Sequence, residues 1–342
     1  MQGTRARSAG IVAGLVAALA FATSGPVVKP LLAAGWTPGA AILVRLWLGT
    51  VLLAGPAAWA LRGRRTALRR EWRTVVALGL LGVAGASTFY FLAVDRLPVA
   101  VALLVEYTGP LLLLGWSWSR TRRMPSRATL AGAALAMAGL VLVLDVTGSL
   151  ELDALGLVFA FAAAIGNAAY FALTARPIAL PPVSLAGSAM LVGALTVSVV
   201  ALVGILPVEA PRVQVDVLGA HVEWFVPLLV VGAVPTAFAY GVSAVSVRLL
   251  GERLASFLAL MEVLFAVLLA WLLLDEAPLV IQLVGAVLVV GGVALVRSGA
   301  AADGELRAGS PAPMSDEATR GAPADAAEST QDVPVGALAG PR

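Results

Sequence analysis

From Gly10 to Arg297 the chain alternates runs of about twenty apolar residues with short polar stretches rich in arginine. A helix of that length crosses a hydrocarbon core about 30 Å thick. Ten such runs are read, at 9–31, 38–61, 74–94, 98–118, 128–146, 154–175, 184–206, 222–246, 254–274 and 279–297. The eighth is interrupted by Pro227 and Pro235, which membrane helices tolerate when neighbouring groups satisfy the freed carbonyls. Most runs lack the polar outer face that a soluble helical bundle requires. The pattern therefore predicts an all-α membrane protein. The first run has a rival reading, because Arg5 and Arg7 precede it and Ala20-Phe21-Ala22 resembles the cleavage site of a secretory signal. The apolar stretch continues past that site toward Leu32, so an uncleaved helix is expected.

Composition narrows the class further. Hydrophobic residues make up 60% of the chain and charged residues 13%, with mean hydropathy +0.95, whereas soluble domains are roughly 45–50% apolar. Cysteine is absent, which removes disulfides, thiolate metal ligands and cysteine nucleophiles. The net charge of +3 does not indicate nucleic acid, because the basic residues fall in clusters between the apolar runs. Those clusters report topology. Arg5 and Arg7, Arg62 to Arg73, Arg120 to Arg127, Arg176, Arg248 and Arg253, and Arg297 occupy alternate loops. The other loops hold only Lys29, Arg96 and Arg212 among bases, with Asp145, Glu151, Asp153, Glu209, Asp216, Glu223, Asp275 and Glu276. Since basic loops stay cytoplasmic, both termini are expected inside, and an even number of helices fits the alternation. Beyond Arg297 the composition turns to Ala, Gly, Pro, Ser and acidic residues, which predicts a disordered cytoplasmic tail over 298–342.

Laid on one another, the fourth and fifth runs match the ninth and tenth. Glu106 in "LLVEYTGPLLLLGW" then falls on Glu262 in "LALMEVLFAVLLAW", and "AGAALAMAGLVLVL" falls on "VGAVLVVGGVALV". The first and sixth runs also begin alike, "GLVAALAFA" and "GLVFAFAAA". A duplication follows, with one five-helix repeat over 1–148 and another over 149–297. Five is odd, so the two copies enter the bilayer from opposite sides and are inverted repeats. Such repeats place a binding site near the bilayer midplane and expose it alternately to each side.

The stretch "LMEVLFAVLLAWLLLDEAPLVIQLVGAVLVVGGV" resembles the end of the second repeat in EamA-type members of the drug/metabolite transporter superfamily, and "EYTGPL" is similar to the fourth helix of its threonine/homoserine exporter branch. The family usually has Glu-Pro in the ninth helix, where this chain has Glu262-Val263. The resemblance covers nearly the whole chain to Arg297. It implies a ten-helix carrier of the bacterial inner membrane with a central cavity, exporting amino acids or related metabolites.

Away from the ends of the runs, three charged residues stand clearly inside them, Arg45, Glu106 and Glu262. A charge at a helix centre costs about 2.5–3.5 kcal/mol on insertion scales, so such groups face a cavity or a partner. Glu106 and Glu262 are expected to line the central cavity, meeting a substrate ammonium or taking up a proton, against the alternative of neutral, hydrogen-bonded packing residues. Arg45 either snorkels toward the outer surface or pairs with a carboxylate across the bundle. Further substrate-binding candidates are Tyr90, Asn167, Tyr170, Tyr240 and Ser24, since a buried phenol or amide needs a partner. Trp36, Trp72 and Trp224 are expected at the interfaces, and Trp116 and Trp271 in the core. His221 is the lone histidine, so no metal site is expected, and no nucleotide-binding or nucleophile motif occurs. The expected partners are a small polar solute, membrane lipid, a proton as coupling ion and a second copy of the chain, with no cofactor. The competing reading, a membrane-embedded enzyme or lipid-modifying protein, needs a catalytic cluster at one membrane face, and the sequence shows none.

Overall fold

A computed structural model describes residues 2–97, 99–122, 124–145, 153–217, 219–274 and 278–308. Arg123, Glu151, Asp275, Glu276, the proposed repeat boundary at 148/149 and the tail from 309 onward lie outside the described residues. The chain is mostly helical, as it must be where each backbone N–H and C=O has to find its partner within its own segment. In order the helices are α1 (Gln2–Ala22), α2 (Ser24–Ala33), α3 (Pro38–Ala60), α4 (Arg65–Arg70), α5 (Trp72–Val94), α6 (Val99–Glu106), α7 (Gly109–Thr121), α8 (Arg127–Val143), α9 (Ala154–Thr174) and α10 (Pro182–Leu202). A hairpin of β1 (Gln214–Val217) and β2 (Ala220–Glu223) follows, then α11 (Phe225–Ala259), α12 (Met261–Leu274) and α13 (Val280–Ala308).

Among the described residues, eight helical stretches are long and apolar enough to cross a membrane, where ten were expected. The difference has two sources. The fifth run is helical only over α8, which has 17 residues. The eighth run and the start of the ninth adjoin through Gly251 to Ala259, leaving the 14 residues of α12 as a separate short helix. Gly251 takes φ 80° and ψ 168°, a non-helical conformation glycine adopts without a Cβ clash, and two helical pieces meet there across a kink. The last helix also departs from expectation. It continues eleven residues past Arg297, to Ala308.

Several spans are interrupted partway. Thr23 separates α1 from α2 and closes the break by donating its hydroxyl to the Ala20 carbonyl at 2.7 Å. Tyr107 and Thr108 separate α6 from α7, with Thr108 donating to the Val105 carbonyl at 2.7 Å and Pro110, which has no N–H to lose, opening the next turn. Leu260 alone separates α11 from α12, so the ninth run is broken before Glu262 without the proline the family uses there. In α5 and α11 a π-helical segment replaces the regular ladder, at Leu78–Gly85 and at Gly232–Phe238, the latter built around Pro235.

Small residues decide how closely helices approach. A Cβ added to Gly132 would meet the Gly292 carbonyl oxygen at 2.6 Å, and one added to Gly139 would meet that of Gly285 at 2.6 Å. Helices α8 and α13 therefore cross antiparallel with backbone against backbone. Gly79 similarly rests on Ala189 of α10, and Gly82 on Tyr170 of α9. Two apolar clusters result, one around Leu46, Leu78, Leu185 and Met190, the other around Leu140, Phe257, Leu260 and Val289.

At the hairpin end, Val215 is buried against Leu31, Trp36 and Leu228, and Trp36 stacks on Trp224 with centroids 5.8 Å apart. Trp36 is thus buried under the hairpin, although Trp72 is exposed as expected. Trp116 and Trp271 are not core residues: they are 58% and 46% exposed, and Arg120 lies over the Trp116 ring. In a membrane protein the outward face is apolar, so a tryptophan among leucines carries no sign of which way it points. His221 faces Asp216 across the hairpin at 2.5 Å instead of its neighbour in sequence, Glu223, which accepts from Gln214.

Candidate functional site

The interruptions converge on one polar cluster. Glu106 is the last residue of α6, and Glu262 is the second residue of α12, two positions past the Leu260 break. Each carboxyl therefore stands beside a helix end, where unpaired backbone groups and a local dipole already make the surroundings polar. The Asn167 side chain of α9 lies within polar reach of the Glu106 carboxyl, and the Tyr107 phenol within reach of Glu262. The two carboxyls also interact electrostatically with each other.

Around them lie the remaining groups. The Arg45 guanidinium of α3 is within electrostatic range of Glu106, Glu262, Tyr90 and Tyr240. One of its terminal nitrogens donates to Ser87 at 3.4 Å, while its Nε is buried without a hydrogen-bond partner. Tyr240 is edge-on to Phe21 at 5.1 Å and to Tyr170 at 5.6 Å. Tyr170 itself is buried and donates to Ser243 at 3.1 Å, joining α9 to α11 away from the carboxyls. Ser24 is half-buried at the start of α2, outside the set within polar reach of Glu106 and Glu262.

Enclosure and access coexist here. Glu106, Glu262, Tyr90 and Tyr240 are surrounded by protein, yet each is only half-buried in surface terms. Intramembrane ionisable groups are tolerated where they face a partner or a polar space, and here each carboxyl has an amide, a phenol or a guanidinium nearby. Tyr107 was not among the residues singled out from sequence. Next to Glu106 on a regular helix it would point about 100° away from the acid, but the break at Tyr107-Thr108 ends that regularity. The signal was the Thr-Gly-Pro following it.

A helical, multi-pass membrane protein with an enclosed acid, amide, phenol and guanidinium cluster has the features of a carrier. The EamA-like transporter family matches the chain twice, over residues 8–145 and 154–298, and the chain belongs to that family. Glu106 and Tyr90 lie in the first copy, and Glu262 and Tyr240 in the second. A solved crystal structure of a protein 23% identical superposes with a TM-score of 0.71, covering 89% of this chain and 99% of its own, which establishes a shared fold. Comparison with the curated proteins gives no match.

Proposed function

We propose that the protein is a secondary transporter that exports small polar metabolites, amino acids foremost, by alternating access around Glu106 and Glu262. One observation carries this reading. Glu106 of the first family copy and Glu262 of the second lie within electrostatic range of each other and of Arg45. Two carboxylates and a guanidinium offer complementary partners to both the ammonium and the carboxylate of a zwitterion, and the phenols and Asn167 supply orienting hydrogen bonds.

The glycine contacts support inverted repeats. By the repeat alignment Gly132 corresponds to Gly285 and Gly139 to Gly292, while the contacts run from Gly132 to Gly292 and from Gly139 to Gly285. That crossed pattern is the mark of a two-fold-related interface, in which i meets j′ and j meets i′. On this reading the ten runs cross the bacterial inner membrane, the arginine-rich ends and both termini face the cytoplasm, and two nearby acids offer a proton-coupling site.

Purified protein in liposomes, loaded with a panel of labelled amino acids with and without a pH gradient, tests it. Transport of at least one zwitterion above protein-free vesicles is expected, and its strong reduction in Glu106→Gln. If no amino acid crosses, or the variant carries it unimpaired, the assignment fails.

A further inference from the structure

The linker between α3 and α5 carries more than a topological signal. Arg62, Arg64, Arg69, Arg70 and Arg73 are all exposed there, and none has an ion-pair partner among the described residues. The one acid of the segment, Glu71, lies in electrostatic range of Arg248. Arg248 is already occupied, donating to the carbonyls of Thr174, Ile178 and Leu180 at 2.8, 3.3 and 3.2 Å. Two exposed tryptophans bracket the arginines, Trp59 at 68% and Trp72 at 55%, and Arg73 sits 5.7 Å over the Trp72 ring. Tryptophan with arginine is the pairing that settles at the depth of lipid headgroups.

Below this rim runs an apolar groove of about 410 Å³, lined by Leu52 and Pro56 of α3, Val183 of α10, and Phe238, Gly241 and Val245 of α11. Its edges are open, with Leu52 46% and Phe238 51% exposed. The groove and the rim are continuous along α3. Leu52, Pro56 and Trp59 are spaced four and three residues apart, so they share one helix face that leads from the groove to the arginines. Ser184 anchors the same end of α10 to α3 by donating to the Ala57 carbonyl at 3.0 Å, which keeps the groove walls together.

We propose that this surface is a binding site for an anionic phospholipid, one acyl chain lying in the groove and the phosphate-bearing headgroup held by Arg62, Arg64, Arg69 and Arg70. Topology alone asks for positive charge in a loop. It asks neither for flanking tryptophans nor for an apolar slot beneath them. Anionic headgroups gain from each nearby guanidinium, and the acyl chain gains from leaving bulk lipid for a shaped wall of side chains. The site is independent of which solute the protein carries.

The test is native mass spectrometry of the full chain released from detergent with equimolar phosphatidylglycerol and phosphatidylcholine of the same chains. Phosphatidylglycerol adducts are expected to outnumber phosphatidylcholine adducts by about fivefold or more, an effect of the order one arginine contributes at a lipid surface. The triple change Arg62→Gln, Arg64→Gln and Arg69→Gln should bring the two lipids to parity. Gly241→Leu should reduce adducts of both, because it fills the groove. A Cβ there meets only the Leu53 Cδ2, at 3.8 Å, so the milder Gly241→Ala is accommodated and serves as the second variant, with a smaller loss of both. Equal binding of the two lipids in the unaltered chain, an undiminished preference in the triple variant, or the same loss from Arg120→Gln with Arg122→Gln at the other tryptophan-arginine rim would overturn the proposal.

Discussion

At the scale of single residues, the cluster depends on hydrogen bonds to groups that would otherwise be stranded in hydrocarbon. The Tyr107 phenol is the group beside Glu262 placed to donate to it, and a hydrogen bond to a charged group contributes about 1.5–3 kcal/mol. Tyr107→Phe is therefore expected to lower apparent substrate affinity about tenfold or more while the purified protein remains monodisperse, which a concentration series in the liposome assay checks. Asn167→Ala should act on Glu106 in the same way. Tyr170→Phe makes the contrasting case. Its hydroxyl bonds Ser243 and not a carboxyl, so it is expected to cost about 0.5–1.5 kcal/mol of stability, read as melting temperature, with affinity unchanged. Of the residues named from sequence, Glu106, Glu262, Tyr90, Asn167, Tyr240 and Arg45 are brought into one neighbourhood, whereas Tyr170 and Ser24 are set apart. Rarity made the charges legible, since an acid in an apolar run stands out. Nothing local distinguishes a tyrosine that faces the chamber from one that links two helices.

At the scale of elements, the helices are defined as much by their interruptions as by their length. The breaks at Tyr107-Thr108 and at Leu260, with the π-helical segments in α5 and α11, fall in helices that bring residues to the polar cluster. Irregular backbone inside a bilayer is sustainable only where protein or water satisfies it. The crossing of α8 on α13 is the opposite case, a seam with no room. Gly139→Leu should overpack it and lower stability by about 1–3 kcal/mol, seen as a drop in thermal midpoint in detergent. Gly115→Ala, where an added Cβ meets nothing within 4 Å, should leave the midpoint unchanged. The glycines themselves are visible in the sequence. Their pairing is not, because spacing along one helix says nothing about the helix opposite.

At the scale of the whole molecule, the hairpin end ties the first family copy to the second. Thr37 donates its backbone N–H to the Glu209 carbonyl at 3.0 Å and accepts the Glu209 N–H on its hydroxyl at 2.9 Å, while Trp36 stacks on Trp224 above them. If the proposed alternating access is right, this end must part in every cycle. The chain has no cysteine of its own, so Thr37→Cys with Glu209→Cys gives a clean pair. Oxidation should stop transport and reduction should restore it, measured in the same vesicles; undiminished transport by the cross-linked protein would rule out opening at this end. By itself the sequence determined that the protein is helical and built for a membrane, that it is a duplication, and that a few charges had to be accounted for, because hydropathy, repetition and rarity are properties of the string. Only the tertiary structure decided which side chains meet Glu106 and Glu262, where the helices break, that Trp116 and Trp271 face outward, and that a rim of arginines overlies an apolar groove. Those outcomes depend on rotation and register between helices, and in a bilayer, where inward and outward faces are equally apolar, the sequence carries almost no trace of either.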